Sequence, residues 1–72
     1  MAVGRRVREL RRQLQLSQEE LAARADLHRN YVGSVERGER DIGITAIGQL
    51  AAALGMSLAD FFAPFRQRSR RD

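Results

Sequence analysis

Arg29 and Asn30 are adjacent, and Tyr31 and Ser34 follow within one helical turn. A guanidinium can donate two hydrogen bonds to guanine O6 and N7, and a carboxamide can pair bidentately with adenine N6 and N7. Ser34, one turn past Asn30, can reach a base or a phosphate. Tyr31 can stack on a sugar and bond a phosphate, or pack its ring on the chain beside it. Gly33 has no side chain to hold a nucleic acid away. This group can recognise but has no means of catalysis. The chain has no Cys, one His (His28), no Gly-rich phosphate loop and no carboxylate pair in an evident cleft. The residues therefore point away from an enzyme, a metal site and a cofactor.

Charge supports the same chemistry. Thirteen Arg and no Lys face nine acids, for a formal net charge of +4. A small basic domain commonly meets a polyanion, either nucleic acid or an anionic membrane. Seventy-two residues allow one domain with a small core. No apolar run approaches the ~20 residues of a membrane span and no signal-peptide core is visible, so the cytoplasm is the expected compartment.

The elements that must carry these residues read as helices. Val3, Val7, Leu10 and Leu14 step along one helical face, and the other faces carry Arg5, Arg6, Arg8, Glu9, Arg11 and Arg12. Ser17-Gln18-Glu19-Glu20 fits a capping box, with Leu16 and Leu21 at the staple positions, and opens a helix over about Gln18–Ala25. Asp26-Leu27-His28 makes a turn, and a third helix runs over about Arg29–Arg37 with Gly38 as its left-handed terminator. Ile44, Ile47, Leu50, Ala51 and Leu54 mark a fourth helix, in which Gly48 costs ~1 kcal/mol against Ala. Ser57-Leu58-Ala59-Asp60 starts a last helix, expected to end near Ala63 with Pro64 close behind. Arg66–Asp72 contains no apolar residue and reads as a basic disordered tail, leaving residues 1–65 as the domain. The expected fold is all-α, a compact five-helix bundle whose helices 2 and 3 form a helix-turn-helix.

The string LSQEELAARADLHRNYVGSVERG, from Leu16 to Gly38, resembles the Cro/C1-type (XRE-like) helix-turn-helix family of bacterial and phage regulators. The likeness covers about Val3 to Phe62, and Leu16–Ala22 and Val35–Gly38 are its most specific pieces. It implies a lambda-repressor-like fold and binding to double-stranded DNA. Small Ala22 suits the close approach of helices 2 and 3, around a wedge of Leu21, Leu27, Val32 and Val35. The family usually has Gly where Asp26 stands and Ser or Thr where His28 stands. Asp tolerates a left-handed turn, whereas His is a weaker cap. The resemblance also implies a pair between Glu36 and Arg11. Base contacts fall to Arg29, Asn30, Tyr31 and Ser34, because the start of helix 3 enters the major groove. Backbone contacts fall to Gln18, Arg11, Arg37 and Arg40. Arg29–Val32 with Glu36–Ile42 further resembles the small controller proteins of restriction–modification systems. That likeness implies homodimers on palindromic operators that time a neighbouring endonuclease gene.

One recognition helix reads too few base pairs to select a genomic site, so a dimer is expected. Ile44, Met56, Leu58, Phe61, Phe62 and Phe65 are the apolar surplus from which an interface would come. Three Phe within five residues exceed what one face of a short helix buries, although a plain core helix would use some of them. Two other classes remain open at this point. A protein-interaction module, such as an antitoxin or coactivator-like adapter, would not need Arg29 and Asn30 together. A basic membrane-surface helix would need the apolar face that helix 1 gives to the core. The sequence carries no sign of a small-molecule pocket, and the family setting places the chain with the bacterial or phage nucleoid.

Overall fold

The computed structural model describes the backbone of residues 2–69 and the side chains of residues 2–65. Five helices follow one another: α1 (Ala2–Gln13), α2 (Gln18–Ala25), α3 (Arg29–Glu36), α4 (Ile44–Ala53) and α5 (Leu58–Ser69). No strand occurs among the described residues. α2 packs on α3 and α4, α1 on α3, and α4 on α5.

Local chemistry sets most boundaries. The Ser17 hydroxyl accepts from the Glu20 N–H at 2.9 Å, and the Glu20 carboxylate accepts from the Ser17 N–H at 2.7 Å. This reciprocal box satisfies two donors that the first turn of α2 would otherwise leave open. At the other end of α2, Asp26 is left-handed (φ 59°, ψ 44°) and its N–H bonds back to Ala22 and Ala23. His28 caps α3: its Nδ1 accepts from the Asn30 N–H at 3.1 Å. That contact needs the lone pair on Nδ1, so the hydrogen of the neutral ring sits on Nε2. Ser57 opens α5 by accepting from the Asp60 N–H at 3.0 Å.

The core joins Val7 and Leu10 of α1 to Leu21, Ala22 and Ala25 of α2. Val32 and Val35 of α3, Ile47, Leu50 and Ala51 of α4, and Phe61 of α5 complete it, with Leu16 and Leu54 between elements. Leu27 of the expected wedge packs at its edge. Leu14 departs from its expected place in the α1 stripe. The helix ends at Gln13, the chain turns through a left-handed Gln15 (φ 59°), Leu14 is half exposed and Leu16 enters the core instead.

α5 is the larger departure. The expected end near Ala63 is replaced by a helix to Ser69 that contains Pro64. Proline lacks the N–H that would bond the Asp60 carbonyl one turn earlier. Arg6 of α1 fills that gap: its Nη2 donates to the Asp60 carbonyl at 3.0 Å and its Nε to the Phe61 carbonyl at 2.9 Å. The partner that carries the helix past its proline thus comes from the other end of the chain. Arg66–Ser69, expected in an unstructured tail, continue this helix, while Arg70–Asp72 lie outside the described residues.

Candidate nucleic-acid interface

Three contacts fix where α3 sits. Gly4 of α1 is buried, and a Cβ built there would fall 2.0 Å from the Val35 carbonyl oxygen, so α1 meets the C-terminal end of α3 backbone to backbone. Arg11 makes a fork with Glu36, Nε to Oε2 at 2.7 Å and Nη2 to Oε1 at 3.0 Å. Its Nη1 donates to the Leu16 carbonyl at 2.7 Å, which holds the α1–α2 loop as well. The Glu36 side chain is only 3% exposed, and its Oε1 accepts a further bond, 3.0 Å, from Gln18 Nε2. One buried carboxylate therefore ties α1, α2 and α3 together with charge-assisted bonds. The Arg11 guanidinium titrates above its ordinary value because it donates to Glu36.

Above this knot lies a groove of about 560 Å³ between the N-terminus of α2 and the outer edge of α3. Arg29, Asn30, Gly33, Ser34 and Arg37 line its α3 side, and Ser17, Gln18, Glu19 and Arg11 line the other. Asn30 and Arg29 are exposed at its mouth. Arg29 lies 3.6 Å from Glu19 with both side chains largely in solvent, so the pair is weakly held and free to exchange partners. Arg37 pairs with Glu39 at 3.0 Å, which raises the guanidinium pKa and lowers that of the carboxyl. The Ser34 hydroxyl donates to the Asn30 carbonyl at 3.0 Å, so its oxygen can still accept. The floor is Gly33, where a Cβ would meet Arg37 Nη1 at 3.1 Å and Gln18 Oε1 at 3.2 Å.

Arg29, Asn30, Ser34, Gln18, Arg11 and Arg37 thus share one concave surface. Tyr31 and Arg40 do not line it. The Tyr31 ring packs half-buried against the core, with the Arg40 guanidinium 5.4 Å above its centroid. Gln18 has one amide hydrogen committed to Glu36, so a phosphate can use only its second hydrogen and the free backbone amides of the first α2 turn. Sequence reasoning missed Gly4 and Arg6. Gly4 had a signal, since it shares a helix face with Val7 and Arg11. Arg6 had none, because its partners lie 54 and 55 residues away.

Among the residues expected at a dimer interface, Phe61 is corrected. It is fully buried, under Arg6 and against the core, because the start of α5 turns it inward. Ile44 (64%) and Leu58 (40%) are exposed, while Met56, Phe62 and Phe65 are half-buried. Phe62 meets Phe61 edge-on at 5.1 Å and Phe65 at 5.8 Å.

Two short helices joined by a left-handed Asp26, with polar and basic side chains along the outer edge of the second, define a helix-turn-helix domain. The family model described as "Helix-turn-helix" matches residues 7–61, and the chain belongs to that family, in the Cro/C1-type branch. Members bind double-stranded DNA. The chain is 36% identical over 61 residues to the control protein C.MunI of Mycoplasma sp., covering 83% of this chain and 82% of that one. It is 40% identical over 58 residues to the control protein C.BamHI of Bacillus amyloliquefaciens, covering 79% and 72%. The crystal structure of the restriction–modification controller protein C.AhdI from Aeromonas hydrophila superposes with a TM-score of 0.80 at 47% identity, covering 83% of this chain and 91% of that one.

Proposed function

We infer that this DNA-binding transcription regulator acts as a homodimer on a palindromic operator, in the manner of a restriction–modification controller, in the bacterial cytoplasm and without catalysis. The observation that carries the reading is the groove, where base-reading and phosphate-holding groups converge on the exposed edge of a helix anchored by Glu36. Arg29 and Asn30 read base edges, and Ser34 reaches a base or a phosphate. Gln18 and Arg37 hold the backbone. Arg11 positions α3 through Glu36. Tyr31 and Arg40 act as a stacked unit at the rim, reaching phosphate rather than base. Exposed Ile44 and Leu58, with half-buried Met56, Phe62 and Phe65, offer apolar surface for two-fold pairing.

The test is selection of random duplex DNA by the purified protein at low and moderate salt. The expected product is a palindrome with half-sites about 34–36 Å apart. Arg29→Ala or Asn30→Ala should cost ~1–3 kcal/mol and relax preference at one position per half-site. Salt-sensitive binding with no enriched motif would instead support a non-specific or partner-dependent role.

A further inference from the structure

Beside the reading groove lies a second concavity, of about 420 Å³, lined by Arg8, Arg11, Arg12, Gln18, Glu36 and Arg37. It shares Arg11, Gln18 and Arg37 with the groove, so the two form a continuous surface around the N-terminus of α2. Four of its six lining side chains are guanidinium groups, and its one carboxylate, Glu36, is buried and engaged by Arg11 and Gln18. Arg8 and Arg12 stand one turn apart on α1. Both are exposed, and neither makes a hydrogen bond or ion pair among the described residues. Cations at the end of α1 would complement the helix dipole, which accounts for Arg12. Arg8 lies before the last turn, where that effect has faded.

We propose that Arg8 and Arg12, with Arg37, form a second seat for DNA backbone phosphates, next to those held at the start of α2. The proposal rests on the groove being the DNA-facing surface and extends the contact from α3 onto α1. The ligand chemistry follows from the groups present. Arg8 and Arg12 bring unpaired guanidinium donors and Arg37 one shared with the exposed Glu39, and such donors around a shallow opening that adjoins the groove fit a diester phosphate. The seat carries no sequence information. It sets register and supplies salt-dependent affinity.

The experiment measures affinity against salt concentration for the wild type, for Arg8→Ala/Arg12→Ala, and for the charge-matched control Arg5→Ala/Arg24→Ala. The probes are the selected palindrome and a mixed-sequence duplex. Losing two phosphate contacts per protomer, four per dimer, should lower the slope of log K against log salt by ~3.6 on both probes. The selected motif should be unchanged and the control slope should move by less than half as much. Binding with an unchanged slope, or an equal fall in the control, overturns the seat while leaving the groove intact. A wild type that binds neither duplex sinks the groove reading and the seat with it. All four positions are exposed, so both double variants should fold, and their thermal melts are to be compared with the wild type's.

Discussion

Replacing Glu36 by Gln keeps the shape of the side chain and removes its charge. In the native domain this carboxylate is 3% exposed and accepts from Arg11 twice and from Gln18 once. The amide can keep one acceptor toward Arg11 but presents two hydrogens where the second oxygen stood, facing another donor. A hydrogen bond to a charged partner contributes ~1.5–3 kcal/mol, and losing one while crowding a second places the cost near ~2–3 kcal/mol. Arg11 softens the loss, because its side chain is 11% exposed and can turn partly toward water. A domain of 72 residues has ~4–11 kcal/mol of stability in all, so the change is a large share. It should lower Tm by ~10–20 °C. Because the pair is buried, the loss should be nearly the same at low and high salt. The assay is urea and thermal unfolding of Glu36→Gln, Arg11→Met and the double variant. Arg11→Met should cost more, ~3–5 kcal/mol, since it strands a buried carboxylate, and the double variant should cost less than the sum of the two. A Glu36→Gln loss below ~0.5 kcal/mol, or additive singles, would refute the claim that this carboxylate fastens α3.

Three further outcomes follow from the structure. Gly4→Ala places a methyl against the Val35 carbonyl and should cost ~1–3 kcal/mol in urea unfolding, whereas Gly48→Ala, with nothing within 4 Å, should stabilise by ~0.5–1 kcal/mol. Arg6→Ala should leave the Asp60 carbonyl without its donor and cost ~1 kcal/mol, with faster amide exchange after Pro64 than elsewhere in α5. The Glu20 carboxyl titrates below its ordinary value of 4.5, chiefly because the Ser17 N–H donates to it, so its contribution is complete above that value and fades as pH falls. The stability gap between wild type and Glu20→Gln should therefore be widest near neutral pH and close in acid, and a gap independent of pH would contradict this.

Most of the helical frame could be read locally. Ser17 and Glu20 announce α2 because both halves of a capping box lie within four residues, and Gly38 ends the α3 region with the expected positive φ of 73°. The Arg11–Glu36 pair was legible only through resemblance, and the Gln18 link to it was not legible at all. Geometry between helices decides such contacts. α5 shows the limit most clearly. Pro64 read as a stop because a local rule cannot know that Arg6 supplies the missing donor. Counting rings shows that three Phe are more than one face of a short helix buries, but that Phe61 is the one turned inward depends on how α5 is docked.

α1 is gripped at two points. Arg6 grasps the start of α5, and Arg11, five residues on, grasps the end of α3. On a rise of about 1.5 Å per residue these anchors are ~7.5 Å apart along one rigid rod. The outer faces of α5 and α3 are therefore indexed to each other through α1 as well as through the packing of α4 on α5. In a paired molecule the reach from one recognition helix to its twin is then a fixed ruler. A half-site spacing altered by a single base pair would have to be met by twisting the DNA, because α1 has no slack to lend.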